Sequence, residues 1–346
     1  MENNMGAEIT AKSRIKEVDM LRGLAIILMI TGHSFIVHPI NIHDVPWCQS
    51  LCHWIYTFHM ELFFLLAGCV YHCSDYKKYI CKKIDRIAVP YLFFSMIALL
   101  LHSIDMSAVN KQTSLGKGAM AIVTEGGFYW FLYALFLLYL IYPVVERVFK
   151  KPWMEWGFAV ICILILEFIK VPTTFEFRDV VYYLPYFVAG RYLVKLLCSN
   201  RVNNHWVNIF ILIGSLALFI VLDKVNPQIP SVISLIYVRA LAMMLVLYVV
   251  VHYLLSLADK GTGIAKVSLQ FLENCSTYSL QLYLFNGFIL VITRTLLVTY
   301  LHVTSPVIIV GTLVTTNLIV TLLICNFILP KTKWLGWLCG TGNRPF

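Results

Sequence analysis

Charge is scarce in this chain. Of 346 residues only 13% are Asp, Glu, Lys or Arg, against 60% hydrophobic residues and a mean hydropathy of +0.78. A soluble domain carries about 25% charge. So much apolar surface cannot be hidden in one core, so an ordinary soluble domain is excluded and lipid is the expected solvent. The ten cysteines never form a Cys-x-x-Cys pair, which argues against a thiolate metal site, and no metal is expected. Cys48 and Cys52 share one outer loop and have the spacing for a disulfide; most others read as small buried apolar residues. No soluble domain, internal repeat or low-complexity segment interrupts the chain. Residues 1–14 are polar and lack the pattern of a cleaved signal peptide, so the first apolar run is expected to stay as a membrane span.

What is present is a series of apolar runs near bilayer length. They fall at roughly 21–37, 54–72, 87–102, 128–145, 156–172, 180–198, 206–222, 233–257, 276–299 and 306–329. The expectation is an all-α, polytopic protein of about ten transmembrane helices. It forms a single membrane domain over 1–346, with cytoplasmic tails at 1–17 and 330–346. Basic residues support this layout. With the N-terminus inside, 20 of the 27 Lys and Arg fall on the inner side and 7 on the outer, the bias that orients membrane proteins. The net charge of +9 follows from it and implies anionic lipid headgroups as partners, not nucleic acid. Trp130, Trp153, Trp156, Trp206, Trp334 and Trp337 lie near span ends, as in an aromatic belt. A long outer connection, about Ser103 to Gly127, contains the short apolar piece Ala119–Val123 and reads as a lid, a re-entrant segment or a plain connector.

Residues 19–34, DMLRGLAIILMITGHS, carry the strongest functional signal. Arg22 heads the run and His33 lies eleven residues on, three helical turns with ~20° left over, so the two share a face about 16 Å apart. An ionisable side chain at membrane depth is a functional-site hypothesis by default, and imidazole titrates where a general base must. Thr31, Gly32 and Ser34 make its surroundings small and polar. His59, in FHMELFF, falls at nearly the depth of His33 on the next, antiparallel span. Glu61 is two residues on, on a different face, with Arg239 or Arg294 as available partners. Lys83 and Arg86, three apart at the inner end of the third span, can share a face and suit a phosphate-bearing ligand; Arg22 lies on the same side of the membrane.

These segments, in this order, resemble the acyltransferase 3 family of integral-membrane O-acyltransferases. The DMLRG…GH helix is similar to that family's opening helix. Phe58–Gly68 resembles its FHMPLFFxxSG, with Glu61 and Ala67 as departures. KIDR followed by Pro90-Tyr91 resembles its Arg-x-x-Arg before Pro-Tyr, with Lys83 for the first Arg. Trp130-Phe131-Leu132 to Tyr142-Pro143, Tyr183 to Gly190 and Tyr278–Asn286 also fit, although Asn286 stands where the family often has His. The resemblance implies transfer of an acyl group, usually acetyl from acetyl-CoA, to a hydroxyl, typically on a glycan. It implies His33 and Arg22 as the catalytic pair and Lys83 and Arg86, with Arg22 on the same side, as the acyl-CoA phosphate site; His59, at the depth of His33, is added to the catalytic group in a positioning role. Lys at 83 keeps charge but loses bidentate geometry. Glu61 and Trp130 are the expected acceptor contacts. Acyl-CoA is a co-substrate and no bound cofactor is expected. The acceptor is a glycan or lipid-linked saccharide, and the location a bacterial cytoplasmic membrane. The alternative is a multi-span transporter or flippase; no inverted repeat or pair of broken helices in the sequence favours it.

Overall fold

A computed structural model describes residues 15–104, 115–197, 205–225, 232–261 and 263–341. The outer parts of both expected tails, and Ala108 in the long outer connection, lie outside these residues. Among the described residues every regular element is helical. That is the requirement of a chain in lipid, where each backbone N–H and C=O must be satisfied within its own segment.

The helices are α1 (Lys16–His33), α2 (Pro46–Tyr56), α3 (His59–Cys69), α4 (Tyr76–Lys83), α5 (Val89–Ile104), α6 (Leu115–Thr124), α7 (Trp130–Val148), α8 (Pro152–Phe168), α9 (Phe177–Leu197), α10 (His205–Val225), α11 (Ile233–Asp259), α12 (Gly263–Thr277), α13 (Ser279–Arg294), α14 (Pro306–Leu323) and α15 (Lys333–Leu338). Among the described residues six segments are long and apolar enough to cross a membrane: Tyr76–Leu101, Leu115–Val148, His205–Lys224, Ile233–Asp259, Ser279–Tyr300 and Pro306–Lys331. This is the composition of an integral membrane protein. α1 falls short of that measure because Lys16, Glu17, Asp19 and Arg22 crowd its first turns, and α3 because it has only 11 residues.

The expected span at 54–72 is two helices, α2 and α3, meeting at a kink at Thr57–Phe58. α12 and α13 meet in the same way at Tyr278. Broken helices are therefore present that the hydropathy pattern did not disclose. The outer connection contributes α6, which packs on α5. Tyr91 and Tyr133 donate hydroxyl hydrogen bonds to the Ile122 and Val123 carbonyls. Cys48 and Cys52 are free thiols one turn apart in α2, with no disulfide between them.

α1 is the hub, in contact with α2, α3, α11, α12, α13 and α14. The closest crossing is between α3 and α9. A side chain at Gly68 would strike the Phe187 carbonyl and one at Gly190 the Leu65 carbonyl. Between helices in lipid there is little hydrophobic drive, so backbone-close packing at small residues supplies much of the adhesion. Above that crossing Phe64 stacks on Tyr183 with ring centres 4.0 Å apart, a contact of about 0.5–1.5 kcal/mol beyond area burial. This crossing fixes two walls of the site, because α3 carries His59 and Glu61 while α9 carries Tyr182 and Tyr183.

Candidate functional site

A cavity of about 740 Å³ opens among α1, α2, α3, α5, α7, α9 and α13. His33, His59, Glu61, Trp130, Asn286 and Arg294 all line it. A second cavity, about 560 Å³, lies beyond α2 and is lined by His43, Gln49 and His53. The two share His33, Ile36, Tyr56 and Arg294. His33 therefore stands at the junction of both spaces, and its side chain is accessible although it ends a helix at the hub of the bundle.

Local structure explains each placement. The Thr31 and Ser34 hydroxyls bond back to the Ile27 and Ile30 carbonyls, each at 2.8 Å. Their polarity is spent on helix α1, and the polar surroundings of His33 come from other elements. Gly32 leaves room for α2: a β-carbon there would lie 3.0 Å from the Tyr56 ring. The Tyr56 hydroxyl thereby reaches within 3.5 Å of His33 Nδ1. The Tyr56 ring also meets His59 edge-on, centres 4.8 Å apart. At the α2–α3 kink, His59 Nδ1 donates to the Ile55 carbonyl at 3.0 Å, which leaves Nε2 of the neutral ring as an acceptor.

Glu61 is buried and does join the two histidines on one cavity, which the spacing along α3 did not require. Tyr182 donates to its Oε1 at 3.1 Å. Its Oε2 is buried without a hydrogen-bond partner. Arg239 pairs with Asp223 at 2.9 Å, which also holds His53 at 3.0 Å. Of the two arginines expected as possible partners for Glu61, Arg239 pairs directly with Asp223 and also acts electrostatically on Glu61, while Arg294 lines the same cavity. Trp130 sits beside Tyr183, centres 6.1 Å apart.

The cationic residues collect at the other end of α1. Arg22 lies 3.5 Å from Asp19. Arg22 and Arg86 both act electrostatically on Lys83, so the three cations form one cluster. Lys83 and Arg86 do not share a regular helical face, because a π-helical segment, Ile84–Ala88, intervenes between α4 and α5. Lys83 turns inward, its ammonium 3.5 Å from the centre of the Tyr139 ring, while Arg86 is exposed. Asp85 between them accepts from Trp337 Nε1 at 3.2 Å, which ties α15 to this corner.

None of Arg22, Lys83 and Arg86 lines either cavity. Arg22 is therefore placed apart from His33, about three helical turns away. Three helices repeat one order. α1 runs from His33 past Met29 and Ile26 to Arg22. α3 runs from Glu61 past Phe63 and Phe64 to Cys69, which feels the Arg22 charge. α7 runs from Trp130 past Phe131 to Tyr139. Phe131 touches Phe63, Phe64 and Tyr283. An aromatic layer therefore separates the cavity from the cation cluster. Tyr56, Asp19, Tyr139 and Tyr283 were not singled out from the sequence. Asp19 was legible through its i, i+3 spacing to Arg22; the other three belong to elements whose mutual approach no local pattern encodes. Among the described residues no group of three or more His, Cys, Asp or Glu could hold a metal ion.

The profile of the acyltransferase domain of the acyltransferase 3 family matches residues 15–325, and the chain belongs to that family. Nodulation protein NolL of Sinorhizobium fredii is similar to it, 26% identical over 136 residues. That match covers 38% of this chain and 36% of the relative, so the chain spans about a third of the curated relative's length. No solved structure matches.

Proposed function

We propose that this protein is a membrane O-acyltransferase that moves an acyl group, acetyl in the first instance, from acyl-CoA to a hydroxyl of a glycan or lipid-linked saccharide. The observation that carries this reading is the polarity of α1: a cation cluster at one end, and at the other a histidine shared by two cavities. The reading places about ten spans in a bacterial cytoplasmic membrane with both termini in the cytosol, so that the cation cluster faces the acyl-CoA pool. Arg22, Lys83 and Arg86 hold the donor's phosphates. The flexible pantetheine arm crosses the Phe63–Phe131 layer to bring the thioester to His33.

His33 takes the proton of the acceptor hydroxyl at Nε2, with Nδ1–H donating to Tyr56. The hydroxyl oxygen attacks the thioester carbonyl, the C–S bond breaks, and the departing CoA thiolate recovers the proton from the imidazolium. Acyl transfer through an acyl-His33 intermediate serves the same balance. His59 positions the pair through Tyr56, and Glu61 and Trp130 contact the acceptor.

The test is acetyl transfer from labelled acetyl-CoA into membrane glycans, read with free CoA release, for the wild type and His33→Ala at equal expression. Transfer and CoA release in the wild type, both lost in His33→Ala with CoA binding retained, are expected. Equal rates in the two proteins would overturn the role of His33. No CoA release with any membrane fraction would overturn the enzyme and return the reading to a transporter. Reporter fusions at Asp44 should read outside, and fusions at Lys150 and Lys260 inside.

A further inference from the structure

One wall of the cavity around His33 belongs to two segments long and apolar enough to cross a membrane. It is formed by Ala98 and Leu101 of α5 and by Gly287, Val291 and Ile292 of α13. α5 and α13 touch through Phe94, whose ring centre lies 5.2 Å from that of Phe285 and 6.0 Å from that of Phe288. Beyond that contact, toward the His33 end, the lining residues Leu101 and Ile292 are 49% and 61% exposed, and Phe128 at the edge is 48% exposed. A residue that lines a cavity and is also half open to the outside stands at a mouth. A β-carbon built at Gly287 meets nothing within 4 Å. The exposed lining residues Leu101, Phe128 and Ile292 are apolar, whereas His33, His59, Asn286, Arg294 and Glu61, whose Oε2 has no hydrogen-bond partner, supply the polar lining of the cavity.

Resting on the acyltransferase reading, we propose that this mouth is a lateral port, and that the acceptor is a hydroxyl-bearing head carried on a long apolar chain. The head lies under His33 and Glu61, and the chain leaves between α5 and α13 into the lipid. A water-soluble acceptor would gain nothing from an apolar opening at membrane depth, where its own hydroxyls would lose their water. A lipid chain passes through it without changing solvent. The buried carboxylate oxygen, which costs free energy while unpaired, takes a hydroxyl hydrogen bond from the head.

The experiment uses the full chain in vesicles of phosphatidylethanolamine and phosphatidylglycerol. These contain a sixteen-carbon alcohol bearing a diazirine beside its hydroxyl. Irradiation and peptide mapping should find adducts on Trp130 or Tyr283, inside the cavity. Gly287→Trp, which enters open space, and Leu101→Trp, at an exposed position, should each cut that labelling at least tenfold. Adducts confined to outward-facing positions such as Phe210 and Ile213 would overturn the port, as would interior labelling unchanged in both variants. CoA release is scored separately. Interior labelling without CoA release leaves the port standing and sinks the acyltransferase reading; CoA release without interior labelling does the reverse.

Discussion

The Tyr56 hydroxyl lies 3.5 Å from Nδ1 of His33. The contact joins the last residue of α2 to the last residue of α1, and it exists because Gly32 has no side chain to hold the Tyr56 ring away. In the proposed mechanism this contact occupies Nδ1 and leaves Nε2 of His33 to meet the acceptor. Tyr56→Phe should therefore lower kcat several-fold with little change in the KM for acyl-CoA. His33→Ala should cost the 10²–10⁴-fold typical of a lost general base. Gly32→Ala, which forces the ring back by a few tenths of an ångström, should resemble Tyr56→Phe. A Tyr56→Phe enzyme with wild-type kcat would remove the tyrosine from the mechanism.

The cation cluster predicts a separable defect in donor binding. Lys83→Ala with Arg86→Ala should raise the KM for acyl-CoA at least tenfold, and high salt should mimic part of the loss at the exposed Arg86. Tyr139→Leu removes the ring beneath the Lys83 ammonium, a contact of about 0.5–2 kcal/mol, and should raise the same KM about 2- to 30-fold. Titration of CoA binding by calorimetry reads both. Unaltered affinity in the double variant would end the assignment.

The α3–α9 crossing predicts where the fold is least tolerant. Gly68→Leu or Gly190→Leu puts side-chain atoms onto a backbone carbonyl of the facing helix, and neither carbonyl can yield without moving a wall of the cavity. Size-exclusion profiles in detergent should show loss of the monodisperse species. Gly157→Leu, at a site with nothing within 4 Å, should retain it. A monodisperse Gly190→Leu protein would mean that the two helices pack less closely than described.

Glu176, in the connection between α8 and α9, predicts a pH dependence of stability. Partial burial, a hydrogen bond with Asp179 and repulsion from Asp179 and Glu125 raise its carboxyl to about 8. A carboxyl raised in the folded state holds a proton that the unfolded chain has already lost. Its contribution is present at low pH and falls as pH rises from the ordinary carboxyl range to about 8. Thermal unfolding should therefore shift downward between pH 5 and pH 8.5. Glu176→Gln, which cannot ionise, should flatten that part of the profile. An identical slope in the variant would assign the dependence elsewhere.

Much of the site's membership was legible in the sequence because it follows helical periodicity. Arg22 and His33 share α1, and a basic inner end with an ionisable group eleven residues on is a local pattern. His59 fell at the depth of His33 because depth in a membrane follows from residue count along a span. Glu61 illustrates the limit. Its position along α3 gave no reason to join the histidines, yet the kink at Thr57–Phe58 and the contact with Tyr182 bring it to the same cavity. Lys83 and Arg86 were expected on one helical face; they stay in one cation cluster, but the π segment turns Lys83 inward and leaves Arg86 exposed, since a π turn depends on tertiary fit more than on residue type.

That the chain is helical and built for lipid follows from composition alone, because apolar content and scarce charge admit no other solvent. Residue order alone also determines which end of α1 is cationic and which carries the histidine. The remaining features arise only when distant helices pack. Packing puts Tyr56 between the two histidines, sets an aromatic layer between His33 and the cations, and lines one wall of the cavity with α5 and α13. Each of these depends on how closely two distant helices approach. In lipid that distance is set by small residues and side-chain shape at the crossing, which the periodicity of either helix alone does not record.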